Sequence, residues 1–226
     1  NLANGTLTVG KALLTIRAEN KSRLYGENPP TLTYTLNGFV NGETLATSGL
    51  SGKPDFITVA VATSPVGNYV ITPIAGTLTS ANYNFVYVNG SLAIEKALVT
   101  VVADNKNKVY GVVNPTLTAS YIGLMNGESF ATSGINGAPS LTTVATASSV
   151  VGSYDINASN GSLTSGNYKF QFSKGVLTIG KATIAVVADN KSKIYGSSNP
   201  ALTASYSGFV NGENLSTSGI TGSPVI

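Results

Sequence analysis

The sequence holds no cysteine, no histidine and no tryptophan, and only 10% of its residues are charged, against about 25% in an ordinary soluble domain. Each shortage excludes something. Without cysteine there is neither a disulfide framework nor a thiolate metal site. Without histidine the commonest general base and metal ligand are missing, and no G-x-S-x-G nucleophile elbow stands in for them. Thirteen Lys and Arg against ten Asp and Glu leave a net charge of +3, but no run of five cations forms a nucleic-acid patch. No stretch approaches the roughly 18 apolar residues of a membrane helix; Asn1 begins mid-pattern, as in an internal fragment, so the lack of a signal peptide there is uninformative.

What remains is 42% hydrophobic residues set among Gly, Ser, Thr and Asn. Uncharged polar and β-branched residues suit twisted strands and tight turns rather than surface helices. The order is strongly periodic. KALLTIRAENKSRLYG (11–26) returns as KALVTVVADNKNKVYG (96–111) and KATIAVVADNKSKIYG (181–196), placing tyrosines at Tyr25, Tyr110 and Tyr195, 85 residues apart. Laid over 98–182 without a gap, 13–97 matches at 42 of 85 positions; 98–141 matches 183–226 at 26 of 44. Tandem repetition of this kind is read before anything else. It divides the chain into 1–12, the C-terminal strand of a preceding repeat; 13–97, the first module; 98–182, the second; and 183–226, the first half of a third.

Within a repeat, Leu14, Ile16 and Ala18 alternate with polar residues, the half-buried strand signal. Asn20, Tyr25–Gly26 and Pro29–Pro30 then read as turns. A second strand carries Leu32, Tyr34 and Leu36 on one face. NGETLATSG (41–49) is a single helical turn or a wide loop, with Leu45, and its copies Phe130 and Leu215, directed at the core. Val59–Ala62 is expected as an edge strand and Tyr69 with Ile71 as part of another. Tyr83, Phe85 and Tyr87 share one face, and Asn89–Gly90 is expected to close a hairpin onto Leu92 and Ile94. The two or three residues joining one repeat to the next predict modules set end to end as a semi-rigid rod. The half repeat 183–226 is expected to be least stable.

The ordered motifs A-D-N-K-x-K-x-Y-G, N-P-x-L-T-x-x-Y-x-G-F, N-G-E, G-x-L-T-S-x-N-Y-x-F and G-x-L-T-I-x-K-A resemble the MBG and YDG-type repeats of large bacterial surface proteins and adhesins, over essentially the whole chain. That resemblance implies extracellular, tandem, mainly β modules at a bacterial cell surface, β-grasp-like with at most a short helical turn. The strand pattern itself is equally compatible with an Ig-like β-sandwich. The resemblance carries over no catalytic, cofactor-binding or metal-binding residues.

Charged repeats invite two readings. Glu19, Asp104 and Asp189 stand beside Asn and Lys; calcium needs several converging oxygens, and a solvated turn explains the motif more simply. Glu43, Glu128 and Glu213 open the N-G-E turn, where the local dipole favours a carboxylate; the alternative is a Lys–Asn isopeptide bond between Lys21, Lys106 or Lys191 and Asn82 or Asn167, assisted by that acid. Tyr69 and Tyr87 are read as core aromatics before sugar-stacking ones. No enzyme and no cofactor are therefore expected. The expected role is a structural stalk or spacer of a secreted or surface-anchored adhesin, with weak multivalent glycan or protein binding, or self-assembly into a fibre through strand edges, as the alternatives. Expected partners are neighbouring repeats, then host or environmental glycan or protein and further copies of the chain, with no nucleic acid and no membrane span.

Overall fold

A computed structural model describes residues 4–226, and among them there are sixteen β-strands and no helix. The first repeat supplies β1 (Ala12–Ala18), β2 (Lys21–Leu24), β3 (Tyr34–Asn37), β4 (Asp55–Ile57), β5 (Gly67–Ile74), β6 (Tyr83–Val88) and β7 (Gly90–Glu95). They form two sheets. One has the order β3-β1-β6, with β3 antiparallel and β6 parallel to β1; the other has the order β2-β7-β5-β4, with β2 parallel to β7. The architecture is mainly β in tandem repeats of 85 residues, as expected. The anticipated helical turn is one i→i+4 hydrogen bond, from the Ser48 amide to the Thr44 carbonyl at 2.9 Å.

The alternation in β1 buries Leu14 and Ile16 completely, and β5 and β7 answer with Ile71, Leu92 and Ile94. The strand run β1–β2 passes from one sheet to the other at Asn20. There the Asn20 side-chain oxygen accepts the Ser91 amide at 2.9 Å. Gly90 sits against this crossing: a Cβ on it would stand 2.6 Å from the Ala18 carbonyl oxygen. Asn89–Gly90 is thus a crossing point and not a hairpin turn. β6 pairs with β1 while β7 pairs with β5 and β2. The glycine is needed because two backbones approach closely.

The second repeat follows with β8 (Ala97–Ala103), β9 (Lys106–Val109), β10 (Ala119–Ile122), β11 (Ser140–Thr142), β12 (Gly152–Ser159), β13 (Tyr168–Ser173) and β14 (Gly175–Gly180), in the same sheet orders. The third region has β15 (Ala185–Ala188) paired antiparallel with β16 (Ala204–Ser207). Residues 4–11 lie in no strand, and residues 1–3 of the expected 1–12 strand lie outside the described residues.

Two further sequence expectations fail locally. Leu45 and Leu215 stand 54% and 42% exposed, and Phe130 is also on the surface; the buried groups of that turn are Ser48, Ser133 and Ile135. The hydroxyls, not the large apolar groups, turn inward, because Ser48 Oγ donates to the Leu45 carbonyl and Ser133 Oγ to that of Phe130. The edge strand expected at 59–62 lies earlier, at Asp55–Ile57, paired with β5; Val59 and Val61 flank the buried Ala60 in a loop.

The chain forms two compact units that cut across the sequence repeats. One comprises everything up to Val99 with Gly123–Asn136 and Thr164–Phe170. The other comprises Thr100–Ile122, Gly137–Leu163 and Gln171–Ile226. The second has its core at Ala103, Ala145, Ile156, Leu177 and Ile179, with Tyr110 and Leu117 packed against it.

Candidate functional site: a tyrosine–carboxylate joint

Asn41–Gly42, Asn126–Gly127 and Asn211–Gly212 all have left-handed backbone, with φ between 53° and 74°. Two successive left-handed residues define a type I′ turn, which Asn-Gly adopts most readily. Each turn is closed by the amide of the following glutamate, as in Glu128 N–H to the Met125 carbonyl at 2.9 Å. The N-G-E motif is therefore a device that presents a carboxylate at a fixed corner.

In the first unit two tyrosines meet the corner at Glu128. The Tyr25 hydroxyl donates to Oε1 at 2.5 Å and the Tyr168 hydroxyl to Oε2 at 2.5 Å. The Tyr168 oxygen also accepts the Met125 amide at 2.9 Å. The two rings stack edge to face, with centroids 5.4 Å apart and planes at 87°, the favoured aromatic geometry. Tyr25 is 5% exposed and Tyr168 1%. Tyr25 belongs to the Tyr-Gly motif of the first repeat; Glu128 and Tyr168 belong to the second. Gly26, at φ +78°, lies directly on Met125: a Cβ there would fall 2.3 Å from the methionine Cβ.

The remaining repeat motifs converge here as well. Ser165 Oγ accepts the Asn167 and Tyr168 amides at 3.2 Å each. Lys96 Nζ donates to the Ser165 carbonyl at 2.7 Å, and the Ala97 amide to the Asn167 carbonyl at 3.0 Å. The Asn167 side-chain oxygen accepts the amide of Val66, from the first repeat, at 3.1 Å. Tyr-Gly, N-G-E, S-x-N-Y and Lys-Ala thus form one locus.

The same parts recur. Glu43 takes the Tyr83 hydroxyl in a very short hydrogen bond, and the Tyr83 oxygen accepts the Val40 amide at 3.1 Å. In the second unit Tyr110 donates to Glu213 Oε1 at 2.6 Å, and Gly111 lies on Val210 as Gly26 lies on Met125. A carboxylate beside a phenol opposes a second negative charge. Accordingly the Glu128 hydrogen bond holds the Tyr25 hydroxyl above the ordinary phenol range. Burial, with Glu128, pushes Tyr168 up to about 12. The Glu43 hydrogen bond likewise holds the Tyr83 hydroxyl above the ordinary phenol range.

The sequence reading treated Tyr-Gly as a turn and the glutamate as a dipole-favoured carboxylate; the structure makes the tyrosine a buried anchor and the glutamate its acceptor. The signal was present: a turn does not need its largest residue to be aromatic, yet tyrosine holds that place three times. Glu19, Asp104 and Asp189 clamp strand to strand. Asp104 accepts the Thr118 hydroxyl at 2.5 Å and the Ser120 hydroxyl at 2.6 Å, and Glu19 accepts Thr33 Oγ at 2.5 Å and Lys21 Nζ at 3.0 Å. Hydroxyl donors hold all three acids below the usual carboxylate range. Lys21 is thus paired with Glu19, not placed at Glu43 for an isopeptide bond. Among the described residues no three His, Cys, Asp or Glu side chains converge as a metal site would need.

One cationic position does go inside. Arg23 is buried, its guanidinium donating to the carbonyls of Glu27 at 2.7 Å, Val61 at 2.5 Å and Ala62 at 3.2 Å. Lys108 repeats this with the carbonyls of Val112 and Thr146. Each ties its strand to the loop that follows it and to the loop before β5 or β12.

The chain matches the family model of the MBG domain (YGX type) three times, at residues 14–93, 99–178 and 184–225. No curated protein is similar enough to the chain to count as a relative.

Proposed function

The chain belongs to the MBG domain family of YGX type, and we propose that its repeats are the stalk of a secreted or surface-anchored bacterial adhesin, holding a distal binding region away from the cell. The observation that carries this reading is the joint at Glu128. The motifs that recur most faithfully are spent on attaching one repeat to the next: Tyr25 of the first repeat is bound by Glu128 and stacked on Tyr168 of the second. Only Lys96 separates β7, ending at Glu95, from β8, beginning at Ala97. A linker of one residue beside a buried aromatic contact leaves little rotational freedom, which serves a spacer better than a flexible tether. The modules 13–97 and 98–182 are on this reading the units by which the stalk lengthens. On this reading the carboxylates of the joint serve as acceptors for phenols, and the repeats act mechanically.

Small-angle scattering tests the reading. A compact particle of 226 residues has a radius of gyration of about 17 Å. The stalk is expected to give a value well above that, growing with repeat number in longer arrays. A value near the compact one removes the proposal. Antibody labelling of intact cells checks the surface location.

A further inference from the structure

The sequence contains no cysteine and one methionine, so Met125 Sδ is the only sulfur of the 226 residues. It stands in the joint. Its counterparts in the other repeats are Val40 and Val210, neither of which a mild oxidant attacks. The Met125 amide donates to the Tyr168 oxygen at 2.9 Å, and the Met125 carbonyl accepts the Glu128 amide at 2.9 Å. The backbone of this one residue therefore holds both the second phenol and the carboxylate corner.

Its side chain meets the first repeat. Carbon atoms on both sides of the sulfur lie over Gly26: a Cβ built on that glycine would stand 2.9 Å from Met125 Cγ and 3.1 Å from Cε. Sδ is bonded to both, so the thioether lies against the glycine of the Tyr-Gly motif. The fit is to an apolar, unbranched side chain. The hydroxyls at the joint are committed, Tyr25 and Tyr168 both to Glu128. Met125 itself is half-buried rather than sealed, so small solutes reach it.

We propose that Met125 is an oxidation site at which a peroxide loosens the joint between the first and second repeats. The sulfur lone pair attacks one oxygen of hydrogen peroxide. An S–O bond forms and the O–O bond breaks. The hydroxide that leaves takes the proton of the transferred oxygen, giving sulfoxide and water; the sulfur is oxidised and the peroxide reduced. Methionine sulfoxide is polar, and its oxygen needs a donor that the committed hydroxyls do not offer. Turning that oxygen to water lifts the side chain off Gly26 and pulls at the turn that presents Glu128. The valine corners hold no such atom: Gly111 lies on Val210 in the contact that Gly26 makes with Met125. The site is a property of the joint and does not depend on the repeats forming a stalk.

The test treats the intact 226-residue protein with hydrogen peroxide and locates the added oxygen at Met125 by peptide mass. Hydrogen exchange is then followed at single amides by NMR. The amides of Met125 and Glu128 are expected to exchange at least about tenfold faster after oxidation, while those of 177–179 keep their rates. Once methionine sulfoxide reductase has returned the thioether, the original rates are expected to return. Met125→Val is expected to exchange identically with and without peroxide. A sulfoxide at Met125 that leaves the joint amides unchanged overturns the proposal. So do a thioether that survives peroxide while free methionine is converted, rates that stay high after the thioether is back, and an equal acceleration in Met125→Val. Comparing untreated, oxidised and reductase-treated protein needs no variant and is immune to misfolding of Met125→Val.

Discussion

At the scale of the residue, the joint rests on one carboxylate with two phenols. A hydrogen bond to a charged group contributes about 1.5–3 kcal/mol. Tyr25→Phe keeps the ring and its edge-to-face contact with Tyr168 and removes only the hydroxyl, so it is expected to cost about 1–2 kcal/mol, read as a lowered denaturant midpoint. Glu128→Gln affects both tyrosines and is expected to cost more than Tyr25→Phe; an equal or smaller loss would show that the carboxylate is not the shared acceptor. The same cluster fixes the alkaline behaviour. Tyr168 is pushed up to about 12 in the folded chain, above its ordinary value near 10. The folded state therefore holds that proton more tightly. Its contribution is fully present below about pH 10 and is lost as pH rises towards about 12. Urea midpoints between about pH 8 and 11.5 are expected to fall, and to fall less steeply in Tyr168→Phe relative to that variant's own value at pH 8. The clamps at Glu19 and Asp104 have the opposite sign: their carboxyls are depressed, so their contribution is lost as pH falls below the carboxylate range.

At the scale of the element, two glycines with the same backbone and different surroundings separate strain from packing. Gly26 has φ +78° and a Cβ position 2.3 Å from Met125 Cβ; Gly196 has φ +86° and nothing within 4 Å. Alanine at either position carries the left-handed penalty, about 1–2 kcal/mol. At Gly26 it also drives into a neighbour, adding about 1–3 kcal/mol of overpacking. Gly26→Ala is thus expected to lower the melting temperature by more than Gly196→Ala, and a scanning calorimeter decides it; equal shifts would mean the Tyr-Gly contact is not tight. The elements also show where sequence suffices. The alternation of Leu14 and Ile16, or of Tyr83 and Phe85, is visible because one face meets a core and period two records it. Which strand pairs with which is not: β1–β6 and β2–β7 are parallel neighbours far apart in sequence, set by the crossing at Asn20 and Gly90. Asn89–Gly90 reads locally as a hairpin, but tertiary approach to the Ala18 carbonyl uses the glycine instead. The joint was legible only as motifs. Tyr25 and Glu128 lie 103 residues apart, and local spacing does not encode a contact across repeats.

At the scale of the whole chain, three near-copies of one strand sit in different surroundings, so sequence propensity is held nearly constant while burial varies. β1 and β8 bury alternate residues completely, Leu14 and Ile16 in one, Val99 and Val101 in the other. β15 has every residue exposed although Val186 matches Val101 and Ala188 matches Ala103. Full burial of one such aliphatic side chain contributes about 1.5–3 kcal/mol, so the local opening of β15 is favoured by that order relative to β8. Regions with few buried apolar contacts open first and exchange their amides first. Backbone amides of 185–188 and 204–207 are therefore expected to exchange at least about tenfold faster than those of 99–103 and 177–179, since about 1.4 kcal/mol corresponds to one decade. Hydrogen exchange read by mass spectrometry checks this peptide by peptide. Similar protection in β15 and β8 would mean that strand propensity, and not burial, sets stability along the chain. Faster exchange in β15 and its partner β16 would assign that stability to burial.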